Sequence, residues 1–100
     1  MIKGIIAMGL LLSVNLFADL FVDGLTQYDK GNPKQASEIW TKACGAGDIN
    51  GCYNLAVLYD HGDGVKQNKA KAIELYKKAC ETGDEEGCTS YKILNEEAVK

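Results

Sequence analysis

Lys42-Ala43-Cys44-Gly45-Ala46-Gly47-Asp48-Ile49-Asn50-Gly51-Cys52 returns 36 residues later as Lys78-Ala79-Cys80-Glu81-Thr82-Gly83-Asp84-Glu85-Glu86-Gly87-Cys88, with seven of the eleven positions identical. Working outward, the same shift aligns Lys30 with Lys66, Asn32 with Asn68, Ala36 with Ala72, Glu38 with Glu74 and Leu58 with Leu94, making twelve identities. Ile39/Leu75, Trp40/Tyr76 and Val57/Ile93 are conservative pairs in the same register. A period of this length is the mark of a stacked-repeat architecture, in which each unit buries its apolar face against its neighbour.

Each unit reads as two helices. Ala36, Ile39, Trp40, Ala43 and Cys44 recur at helical spacing, as do Ala72, Leu75, Tyr76, Ala79 and Cys80. Asn32 and Asn68 stand where N-caps are expected, the first followed by Pro33 at the opening helical position. Gly47 and Gly83 stop these helices, and Asp48 and Asp84 cap the next ones. The second helices carry Cys52, Leu55, Ala56 and Tyr59 on one face, and Cys88, Tyr91 and Asn95 in the second unit. That last face is less apolar, as suits a terminal repeat. Leu20, Phe21, Leu25 and Tyr28 predict one more helix before the first unit, stopped by Asp29-Lys30-Gly31-Asn32-Pro33. The paired glycines of Asp60-His61-Gly62-Asp63-Gly64 predict a fixed loop between units.

The chain opens with Lys3, then an uncharged apolar run from Gly4 to Phe17, then Ala18 before Asp19. That order predicts a secretory signal peptide over residues 1–18, cleaved to leave one domain over residues 19–100 and no stable membrane insertion. The composition contains no arginine, and after cleavage 10 lysines face 14 acids, for a net charge of −4. This balance makes the chain a poor candidate for binding nucleic acid, and no nucleic-acid partner is expected, because phosphate binding needs basic patches.

The run from Leu55 to Val65, followed by Lys71-Ala72 and Tyr76-Lys77-Lys78-Ala79-Cys80, resembles the Sel-like repeat, a relative of the tetratricopeptide repeat. The added cysteine pair in each unit is similar to that of the secreted cysteine-rich Helicobacter proteins. The resemblance implies an all-α, right-handed α/α superhelix of about five antiparallel helices, located in the periplasm or outside the cell, with a disulfide pinning each pair. It also implies a scaffold that binds a protein or peptide. Because some relatives are labelled penicillin-binding proteins or β-lactamases, weak β-lactam binding or hydrolysis is the second expectation.

Four cysteines in an exported chain favour disulfides, and three connectivities are formally open. The period selects Cys44 with Cys52 and Cys80 with Cys88, each across one helical hairpin, whereas pairing Cys44 with Cys88 would join different units. The spacing within each pair is too long for a zinc site or for a catalytic Cys-x-x-Cys dithiol.

No catalytic residues emerge from the sequence. A penicillin-recognising serine needs lysine three positions on, but Leu16, Trp40 and Ile93 follow Ser13, Ser37 and Ser90. Ser37 and Glu38 are expected on a helix surface, and the lone His61 in solvent. Asp60 and Asp63 lack the further ligands of a calcium loop, so neither a metal nor a cofactor is expected. The candidate binding residues are Tyr53, Asn54 and Val57, with their counterparts Thr89, Ser90 and Ile93. Tyrosine and asparagine offer rigid area and backbone-matching hydrogen bonds to an extended peptide.

Overall fold

A computed structural model describes residues 19–99, so the expected signal peptide lies outside the described residues. Five helices make up the fold: α1 over residues 19–29, α2 over Pro33–Gly45, α3 over Ile49–His61, α4 over Lys69–Glu81 and α5 over Glu85–Val99. No strand occurs among the described residues. The expected all-α solenoid is present.

The boundaries follow from local chemistry. Gly47 has φ +97° and Gly83 φ +102°, a conformation that costs a residue with a Cβ and is free to glycine. At each, the next two amides turn back onto the helix. Gly47 N–H reaches the Cys44 carbonyl and Asp48 N–H the Ala43 carbonyl; Gly83 and Asp84 repeat this with Cys80 and Ala79. Asp48 then caps α3 through its side chain, accepting from Asn50 N–H at 3.1 Å, and Asn68 caps α4 by accepting from Lys71 N–H at 3.0 Å. Asn32 departs from this pattern. Its side chain makes no cap bond and instead donates to the Gln27 side chain at 3.1 Å, tying α2 to the end of α1. Pro33 opens α2 without an N–H, so one of the amides left unpaired at a helix start is absent there.

Gly51 and Gly87 are not turn residues. Both lie inside the first turns of α3 and α5, and their missing side chains set the depth of the hairpins. A Cβ on Gly51 would sit 2.7 Å from the Ala43 Cβ, and one on Gly87 2.9 Å from the Ala79 Cβ. This close approach brings Cα atoms to 4.5 Å for Cys44–Cys52 and 4.4 Å for Cys80–Cys88, and both disulfides are formed as expected.

The core runs through α2, α3, α4 and α5, with Ala36, Trp40, Cys44, Cys52, Leu55, Ala56, Leu58, Ala72, Leu75, Tyr76 and Leu94 buried. Two expectations are corrected here. Ser37 is buried, because its hydroxyl is satisfied by donating to the Lys34 carbonyl at 2.7 Å within its own helix. In α5 Leu94 is buried, whereas Asn95 is exposed, so the covered face of α5 is rotated relative to the expected one. The loop after α3 is fixed: Gln67 donates to the Asp60 carbonyl at 2.8 Å and Asn68 N–H to the Tyr59 carbonyl at 2.9 Å.

Candidate binding face

The candidate face is built on two aromatic residues at matching positions of the repeat. Trp40 in α2 and Tyr76 in α4 are each 3% exposed. Each packs against aromatic side chains of an odd-numbered helix. Trp40 stacks with Phe21 and Tyr28 of α1, ring centroids 6.4 and 6.2 Å apart, and Tyr76 packs tilted against Tyr53 of α3 at 5.4 Å. Helices α1, α3 and α5 therefore form one layer, with a groove between each neighbouring pair.

The groove between α1 and α3 is lined by Leu25, Tyr28, Trp40, Asn54, Val57 and Leu58. The groove between α3 and α5 is lined by Tyr53, Glu85, Glu86, Thr89 and Ser90. Their volumes, about 220 and 320 Å³, fall at or below the lower end for enclosed small-molecule sites, and both are open. Such shallow channels suit side chains of a protein or peptide laid across the surface better than an engulfed ligand.

The five candidate residues are thus all on this face, but not in one strip. Tyr53, Thr89 and Ser90 share the α3/α5 groove, while Asn54 and Val57 line the α1/α3 groove. Positions 53 and 54 are about 100° apart around a helix, which places them on opposite flanks of the α3 crest. Ile93 is 53% exposed one turn beyond Ser90, extending the second groove with an apolar patch. Leu25, Tyr28, Glu85 and Glu86 were not among the candidates. The two glutamates lie three to four positions before Thr89 and Ser90, one turn away on α5, and that spacing was the available signal.

The electrostatics are quiet. Tyr28 donates its hydroxyl to an Asp63 carboxylate oxygen at 2.6 Å, and this bond raises its pKa above the ordinary tyrosine value. Burial, reinforced by the nearby Asp60 carboxylate, raises that of Tyr76. Asp60 is paired with Lys69, and Asp63 holds Tyr28, so both loop carboxylates are engaged in the fold. His61 is exposed, its Nδ1 3.0 Å from the Val57 carbonyl. Among the described residues no three acidic, histidine or cysteine side chains gather in a metal-binding cluster.

Residues 49–84, spanning α3, the fixed loop and α4, match the Sel1 repeat family model. The structure is similar to Helicobacter pylori cysteine rich protein B (hcpB), with a TM-score of 0.69 and 29% sequence identity. The alignment covers 78% of this chain and 62% of that one, so this chain spans less than two thirds of the relative's length. No curated protein matches it. Sel1 repeats generally mediate protein–protein interactions. The two intrachain disulfides and this likeness point to a location outside the cytoplasm. No helix among the described residues is long and apolar enough to cross a membrane.

Proposed function

We propose that this Sel1-repeat chain is an exported scaffold that binds an extended segment of a partner protein across the α1/α3/α5 layer. Residues 1–18 serve as its cleaved signal peptide, and residues 19–100 as the binding domain. The observation that carries the reading is the pair of grooves flanking α3, a mainly apolar one that reaches Trp40 and a mainly polar one edged by Tyr53. Tyr53 and Asn54, on the two flanks of α3, address one groove each. A peptide crossing α3 meets both, then Thr89 and Ser90 in one direction or Val57 in the other. Tyrosine supplies area with little rotamer entropy, and asparagine and serine match backbone amides and carbonyls.

The test is selection from a displayed random-peptide library on the purified, oxidised chain. Selected peptides should lose affinity by about tenfold or more when Tyr53→Ala and Asn54→Ala are combined, as expected for a buried aromatic anchor. Unchanged affinity in the double variant refutes the site. Export is tested separately, by a mass spectrum of the secreted product beginning at Asp19.

β-Lactam chemistry gains no support from the site. The residues one helical turn after Ser37 and Ser90 are Trp40 and Ile93, neither of which can accept a proton.

A further inference from the structure

The two disulfides have the same backbone spacing but different surroundings. Cys44 and Cys52 are 4% and 2% exposed, whereas Cys80 and Cys88 are only half-buried. The helices they fasten differ in the same direction. Helix α3 is packed between α2 and α4 and buries Gly51, Cys52, Leu55, Ala56 and Leu58. Helix α5 packs chiefly on α4 and, among residues whose side chains are described, buries Gly87 and Leu94. Opening the first disulfide leaves α3 held by its packed face. Opening the second leaves α5 held on one side only, by Leu94, the partly buried Tyr91 and the close approach at Gly87.

We propose that Cys80–Cys88 is a redox latch on the α3/α5 groove. A thiol or dithiol reductant opens it selectively, α5 undocks, and the wall that carries Thr89 and Ser90 is lost while the α2/α3 hairpin stays closed. The proposal rests on the reading of that groove as part of the binding face. In the chemical step a reductant thiolate attacks one sulfur of the pair, forming a mixed disulfide and expelling the other cysteine as a thiolate, which takes up a proton. A second reductant thiol then resolves the mixed disulfide. Cys80 and Cys88 end as two thiols, and the reductant ends as its disulfide, having supplied two electrons and two protons. Attack requires a trajectory to sulfur, which is less covered at the half-buried pair than at the buried pair, where local opening must come first. Reoxidation runs the same steps backwards and restores the groove.

The experiment uses the full oxidised chain in graded dithiothreitol, with timed alkylation, peptide mapping and far-ultraviolet circular dichroism. Cys80 and Cys88 should be alkylated about tenfold or more faster than Cys44 and Cys52, with helicity falling by an amount corresponding to α5. Peptides selected on the oxidised chain should dissociate from this half-reduced species. Simultaneous opening, prior opening of Cys44–Cys52, or half-reduction without loss of helicity would overturn the latch. So would peptides that stay bound with equal affinity. If the oxidised chain selects no peptide at all, the binding reading fails on its own, and the order of alkylation still decides whether α5 is released first. A Cys80→Ser, Cys88→Ser chain should show the half-reduced spectrum without reductant; a fully oxidised-like spectrum counts against the proposal.

Discussion

The indole of Trp40 lies directly over Gly24, where a Cβ would come within 2.6 Å of both Cδ1 and Cε2 and closer still to Nε1. The same Nε1 donates to the Phe21 carbonyl at 3.2 Å, so the tryptophan both packs on α1 and bonds to it. Gly24→Ala should gain about 1 kcal/mol from helix propensity. It should lose about 1–3 kcal/mol from overpacking against a ring that is 3% exposed and has little room to move. The clash wins, and α1 should loosen. Denaturant unfolding of Gly24→Ala should show lower stability, and adding Trp40→Phe should shrink the penalty because the smaller ring relieves the contact.

Gly51→Ala and Gly87→Ala test whether the glycines set the hairpin spacing. A methyl group at position 51 would press on the Ala43 side chain and come within 3.2 Å of Cys44 N, both parts of a helix that cannot retreat cheaply. At position 87 the contacts are Ala79 Cβ and Cys80 N at 3.1 Å. Each change should destabilise by about 1–3 kcal/mol, the usual cost of an extra carbon in a packed interior. Position 51 should show the larger loss, since its hairpin is packed from both sides. Chemical unfolding midpoints of the two variants would settle the order.

The hairpins were readable because their determinants are local and repeated. The stops at Gly47 and Gly83 and the cysteine pairing depend on residues a few positions apart, and the period displays them twice. What the sequence concealed depends on rotation of one helix against another. Leu94 and Asn95 are neighbours, and only the packing of α5 on α4 decides which is covered. Asn32 looked like a cap until α1 supplied Gln27 as a competing partner. The binding candidates share one layer, but their division between two grooves follows from where α1 and α5 lie. No pattern within α3 contains that information.

The contact between Tyr28 and Asp63 fastens the end of α1 to the loop between α3 and α4. It joins residues 35 apart in the chain and holds Tyr28, one of the residues lining the first groove. Tyr28 is 40% exposed, which limits the value of the bond. Tyr28→Phe should cost about 0.5 kcal/mol, the low end of the usual net value of a hydrogen bond in a protein. A double-mutant cycle with Asp63→Ala should attribute most of that loss to the pair, and hydrogen exchange should quicken in residues 62–68. A cycle with no coupling energy would mean the contact contributes nothing to the loop's order.

Alkaline pH should expose the burial of Tyr76. Burial holds its phenol neutral in the folded chain, so its folded pKa lies above the ordinary value of 10.0. Protons are then bound more tightly by the folded state than by the unfolded one. The stabilisation is complete below about pH 10 and is withdrawn as pH rises beyond it, because the unfolded chain ionises first. Thermal midpoints should therefore hold steady to about pH 9 and fall steeply above about pH 10. Tyr76→Phe keeps the ring that packs against Tyr53 and removes the ionisable group. Its midpoint should decline less over the same interval, and a decline as steep as that of the parent chain would place the sensitive group elsewhere.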